Sequence, residues 1–156
     1  MKRIKWPFAP RQIAAVEPLA GRSLRIAWED GGGSTVDLAD WIRTGWRILA
    51  RLDDPALFAT ARVGEAGAVV EWIEDELTID SIHLQLLESE QKGAPLLPDG
   101  LKRWRKRHGL TQAEAAKALG VSLRMFQNYE GGSHFLPLTV ALACRGWEAL
   151  GGKRAA

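Results

Sequence analysis

Residues 111–130, Thr-Gln-Ala-Glu-Ala-Ala-Lys-Ala-Leu-Gly-Val-Ser-Leu-Arg-Met-Phe-Gln-Asn-Tyr-Glu, leave this chain few ways to fold there. Thr111 has the chemistry of an N-cap, and Glu114 three positions later completes a capping box. Ala115, Ala116 and Leu119 then share one helical stripe, small enough for a second helix to approach closely. Gly120 follows where a left-handed residue ends a helix at little cost. Ser122 caps a second helix that buries Phe126 and Tyr129 at i, i+3 spacing. Leu123, Arg124, Gln127 and Asn128 are left facing outward. Two short helices across a tight turn, the second with a free polar face, form a helix-turn-helix pattern.

Charge supports a polyanion partner for this region. Residues 1–97 hold 11 Lys/Arg against 15 Asp/Glu, whereas residues 98–156 hold 10 against 4. An acidic front and a basic back predict that only the back half meets a polyanion. The remaining composition, 46% hydrophobic and 26% charged, is that of an ordinary soluble protein. No apolar run approaches the roughly 20 residues that span a bilayer. The N-terminal Met-Lys-Arg-Ile-Lys-Trp-Pro-Phe has no apolar signal region, so secretion is not expected. The single cysteine, Cys144, excludes an intramolecular disulfide, and a cytoplasmic location is expected.

The segment Gly93-Ala94-Pro95-Leu96-Leu97-Pro98-Asp99, with two prolines and a glycine, breaks one helix and starts another. It predicts a domain over 1–92, a linker over 93–99 and a second domain over 100–156. The first domain reads as small, strand-rich α+β and the second as all-α, so the fold class is α+β. Leu24, Ile26 and Trp28 alternate with Arg25 and Ala27, which predicts a strand with one buried face. Glu29–Gly33 turns it into a returning strand over 34–38. Trp41, Ile42, Trp46, Ile48 and Leu49 form an apolar segment whose structure the pattern does not specify. Asp54-Pro55 opens a short helix. Further strands are expected over 61–63, 68–73 and 78–80, then a helix over 81–90 whose Ile82, Leu86 and Leu87 face the sheet. Five tryptophans (Trp6, Trp28, Trp41, Trp46 and Trp72) fall in this half. An aromatic groove is one reading; filling a small core is preferred, because large aromatics dominate cores.

Residues 13–80, notably Val16-Glu17-Pro18-Leu19, Leu24–Gly31, Val36-Asp37-Leu38, Asp54–Phe58 and Val70-Glu71-Trp72, resemble a small bacterial domain family of unknown function. Its members occur alone or ahead of a helix-turn-helix. Residues 101–131 resemble the Cro/repressor (Xre-type) family, with Leu110-Thr111-Gln112-Ala113-Glu114 opening its first motif helix. The resemblance implies a lambda-repressor-like fold and double-stranded DNA as partner. It places Gln112 at a phosphate or bracing a base-reading side chain, and Leu123, Arg124 and Asn128 at base edges, with Gln127 beside them. Arg124 suits guanine and Gln127 or Asn128 adenine. Ser122 caps its helix and can also reach a phosphate. The resemblance also implies an ion pair between Arg105 and Glu130. One helix about 137–150 follows, where many members have two.

The helix about Leu101–His108 carries five cations around an inward stripe of Leu101 and Trp104. Lys102, Arg103, Lys106 and Arg107 are candidates for phosphate contact, of which a helix can aim about two at one backbone. His108 suits the cation position at a helix C-terminus. His83, His134 and Cys144 match no metal-binding spacing, and no catalytic constellation or phosphate loop is present in the sequence. No metal, cofactor or catalysis is expected. On the last helix, Leu138, Ala141, Leu142 and Arg145 form one stripe and Val140, Cys144 and Trp147 another; the stripe left over predicts a homodimer seam or a contact with the front domain. A cytoplasmic, DNA-binding transcriptional regulator follows, whose front domain binds a protein or small molecule or serves dimerisation. The alternatives are an antitoxin-like autorepressor that masks a toxin, and an interaction adaptor without DNA binding.

Overall fold

Alternation decides the first sheet. In β2 (Ser23–Trp28) Leu24, Ile26 and Trp28 are buried while Arg25 and Ala27 face solvent. Gly31 and Gly32 turn the chain at φ 96° and 80°, which L side chains rarely adopt. Strand β3 (Gly33–Asp37) then returns antiparallel, with Leu24 opposite Val36. On its other side β2 pairs with β1 (Ile13–Leu19), also antiparallel. The computed structural model describes residues 8–152. Trp6 lies outside them.

The β1 strand has no clean signature in the sequence. Its register shifts between Ile13 and Ala15, so period-2 burial is lost, and Pro18 sits in it because an edge strand can spare a donor. After β3 come α1 (Ala39–Thr44), a 3-10 helix over Arg47–Asp53 and α2 (Pro55–Phe58). The Asp54 carboxylate accepts from the Ala56 N–H at 3.0 Å, capping α2. A second antiparallel sheet follows in the order β4 (Arg62–Val63), β5 (Val69–Ile73) and β6 (Leu77–Asp80), leading into α3 (Ser81–Gln91).

One core joins both sheets, with Ile13, Leu24, Ile26, Trp28, Val70, Trp72 and Leu84 among its buried members. The two buried indoles keep their N–H groups bonded: Trp28 donates to Ser34 Oγ at 2.7 Å and Trp72 to the Phe58 carbonyl at 3.0 Å. Ser34 in turn donates to Glu88 at 2.8 Å, which satisfies the hydroxyl that receives the Trp28 N–H. Two expectations are corrected. Leu87 packs against the core as expected, but the fully buried α3 residue in it is Leu84, and Ile82 and Leu86 are not part of it. Trp46 is not core: it is 85% exposed, while Trp41 is half-buried.

Pro10–Glu88 form one compact unit, and the chain from Ser89 onward belongs to a second. The segment read as a linker is packed within that second unit: Gly93–Leu96 are buried, and the Leu96 carbonyl accepts from the Leu136 N–H at 2.9 Å. Four helices complete it: α4 (Pro98–Arg107), α5 (Gln112–Leu119), α6 (Leu123–Glu130) and α7 (Leu138–Ala149). They close on Leu101, Trp104, Ala115, Ala116, Phe126, Val140 and Cys144. Of the two stripes on α7, the one with Val140, Cys144 and Trp147 packs inward. Leu138 and Leu142 remain more than half exposed.

Burial pushes the Cys144 thiol up to about 12, with Glu148 adding to it. The expected result is negligible labelling of Cys144 by iodoacetamide at pH 8 in the native protein, and stoichiometric labelling in denaturant. Rapid native labelling would show that α7 does not sit as described.

Candidate nucleic-acid interface

Each end of the two motif helices is fixed by a local hydrogen bond. The Thr111 hydroxyl accepts from the Glu114 N–H at 3.1 Å, and Glu114 accepts from the Thr111 N–H at 2.8 Å. That backbone donor holds the Glu114 carboxyl below its ordinary value. Helix α5 ends at Gly120, whose φ of 73° completes a left-handed cap. Ser122 Oγ accepts from the Met125 N–H at 3.1 Å and starts α6. The turn between the helices is therefore Gly120, Val121 and Ser122.

Phe126 is fully buried and Tyr129 half-buried, which fixes the rotation of α6 about its axis. Ser122, Leu123, Arg124, Gln127 and Asn128 are exposed. Met125 also lies open, 46% exposed, a member of the face that the i, i+3 pattern does not reveal. Its neighbour Tyr129 on the same side is half-buried, so residue spacing alone misassigns it.

Behind this face runs a relay of side chains. Arg105 on α4 grips Glu130 with two N–H donors, each at 2.7 Å, and both groups are largely buried. These bonds hold the Glu130 carboxyl below the usual carboxylate range against burial, with Gln112 and Lys102 adding to the effect. A carboxylate only accepts, so Gln112 must turn its amide N–H toward Glu130, at 3.3 Å. Its carbonyl then faces Gln127, which donates to it at 3.3 Å. The polarity of the Gln127 amide is thereby set from the ion pair, two residues away.

The cations of α4 are not equivalent. Arg103 is held by Glu90 at 2.6 and 2.9 Å, and Arg107 lies 3.5 Å from Glu148. Lys102 and Lys106 are exposed. His108 ends α4 with its Nε2 2.7 Å from Glu148 Oε1 and its ring edge-on to Trp104 and Trp147. His108 therefore helps fasten α4 to α7. Among the described residues no group of three His, Cys, Asp or Glu is placed to hold a metal ion, and no helix is long and apolar enough to cross a membrane.

Comparison with known proteins fits this geometry. A family model described as a helix-turn-helix domain matches residues 99–154. The crystal structure of the putative DNA binding protein NE0471 from Nitrosomonas europaea ATCC 19718 is similar over 89% of this chain and 87% of that one. The two are 34% identical, with a TM-score of 0.50. The chain belongs to the family of NE0471. None of the curated proteins compared matches it. The NE0471 likeness covers most of the chain, and so extends beyond the helix-turn-helix match into the strand-rich unit.

Proposed function

We propose that this member of the NE0471 family is a sequence-specific DNA-binding regulator whose helical unit is a headgroup of the Cro/repressor type. Helix α6 enters the major groove, with Arg124, Gln127 and Asn128 at base edges, Leu123 against a thymine methyl and Ser122 near a phosphate. Lys102, Lys106 and Arg107 supply the phosphate contacts from α4, and Arg103 takes part only by leaving Glu90. The observation that carries this reading is the exposed polar face of α6, braced from behind by Gln112, Glu130 and Arg105. Such bracing gives base-reading side chains a fixed geometry before DNA arrives. The name of the structural relative supports the same partner. Two copies acting together on a two-fold site are proposed, as is a partner-binding role for the strand-rich unit.

The test is a salt titration of a fluorescently labelled 25-base-pair duplex with the full-length chain, read by anisotropy. If Lys102, Lys106 and Arg107 each neutralise a phosphate, the log–log slope per headgroup is about −3, from about 0.9 per contact. A flat response would favour the adaptor reading, in which this face has lost its nucleic-acid partner.

A further inference from the structure

The strand-rich unit carries an open groove of about 470 Å³ beside β6, walled on one side by Trp41, Trp46 and Ile48. Two features set it apart from an ordinary surface hollow. The first is the indole of Trp46, 85% exposed, with Ile48 beside it also 36% exposed. Leaving that much aromatic surface in water is unfavourable unless something covers it. The second is the edge of the sheet. The strand order β4-β5-β6 leaves one side of β6 unpaired. The Ser81 N–H closes the ladder on the Ala68 carbonyl at 2.9 Å, and Ile79 lies opposite Val70. By the alternation of an antiparallel pair, Thr78 turns both its main-chain N–H and its C=O to the open side. Among the described residues nothing bonds to them. Thr78 is itself part of the groove lining.

We infer that this groove takes an extended, basic peptide segment of a partner protein as an added strand on β6. The main chain of the segment bonds to Thr78, and one apolar side chain packs between Trp41 and Trp46. The charge selects the occupant. Pro10–Glu88 hold seven arginines, no lysine and fourteen Asp/Glu, a net charge of −7. Glu76 and Asp80 lie in the groove wall. A second copy paired antiparallel about Thr78 would set Glu76 across from Asp80 and one acidic unit against another, which is destabilising. A strand bearing Lys or Arg at those positions meets the opposite field. This rests on the partner-binding role proposed for the unit and gives that role its chemistry; it does not depend on DNA binding.

The test pans a phage-displayed random dodecapeptide library on immobilised full-length protein. Enriched peptides are expected to alternate apolar and Lys/Arg residues. A synthetic copy of one is expected to bind Trp46→Ala and Ile48→Glu at least about tenfold more weakly, as for loss of a central aromatic anchor. Proline at its central position, which removes a main-chain donor, is expected to weaken it similarly, while Arg124→Ala leaves it unchanged. Equal binding to Trp46→Ala would overturn the groove assignment while leaving a partner role elsewhere on the unit. Acidic consensus peptides, or no enrichment, would overturn the basic-segment proposal. So would a dimer in sedimentation that Trp46→Ala dissolves, since the occupant would then be a second copy.

Discussion

Replacing Arg124 and Asn128 together with alanine is expected to remove sequence discrimination while leaving the fold intact. Both side chains are exposed, neither enters the core, and neither belongs to the Arg105–Glu130–Gln112–Gln127 relay. Their loss therefore leaves thermal unfolding within the range of ordinary surface substitutions, about ±0.5 kcal/mol. On a specific site the loss is far larger. A good base-edge contact contributes about 1–3 kcal/mol of discrimination, so two together lower affinity by about 30-fold or more. Binding to unrelated duplex falls much less, since only one cation has gone. Competition assays with a specific and an unrelated duplex separate the two effects. Equal losses on both would mean that these residues contact only the backbone.

The second large effect is in stability. Arg105→Ala is expected to destabilise the helical unit by about 3 kcal/mol or more, because it strands a buried carboxylate without its partner. The side chains of Arg105 and Glu130 are only 14% and 6% exposed, so water cannot substitute well. Replacing both, as Arg105→Met with Glu130→Leu, is expected to restore most of that loss. Denaturant unfolding of the wild type and the two variants checks this. The same pair makes the unit acid-sensitive. Glu130 titrates below its ordinary 4.5 in the folded state. Its contribution is therefore complete above that value and disappears as pH falls through the lower, folded value. Arg105→Ala should blunt that part of the acid transition. An acid midpoint unchanged by Arg105→Ala would place the lability elsewhere.

The helix-turn-helix is legible in the sequence because its signals are local. Thr111, Glu114, Gly120 and Ser122 act within three or four residues of themselves, and each makes the bond its residue type predicts. Helix α2 is legible for the same reason, through Asp54 and Pro55. What fails is whatever depends on distant partners. Strand β1 is recognisable only once β2 lies beside it, since its shifted register erases the alternation. The exposure of Trp46 cannot be read from its type, because a tryptophan in a core and one beside a groove are spelled alike. The segment 93–99 has the composition of a linker, yet its burial depends on Leu136, forty residues away from Leu96. Arg105 and Glu130 come together through the resemblance rather than through spacing. The bracing role of Gln112 also comes through the resemblance, and spacing does not reveal that Gln127 is the side chain it holds. Arg103 reads as a free cation until Glu90 is placed beside it.

The regulatory role proposed for this chain turns on what α6 does with duplex DNA. Selection of bound sequences from a random duplex pool by the full-length protein measures this without an operator having to be chosen. The expected result is a recurrent motif, repeated about a two-fold centre at half-sites about one helical turn apart. That motif should be lost when the selection is repeated with Arg124→Ala/Asn128→Ala. A pool that stays random after successive rounds with the wild-type chain, or a motif that survives the double substitution unchanged, would be incompatible with base reading by α6.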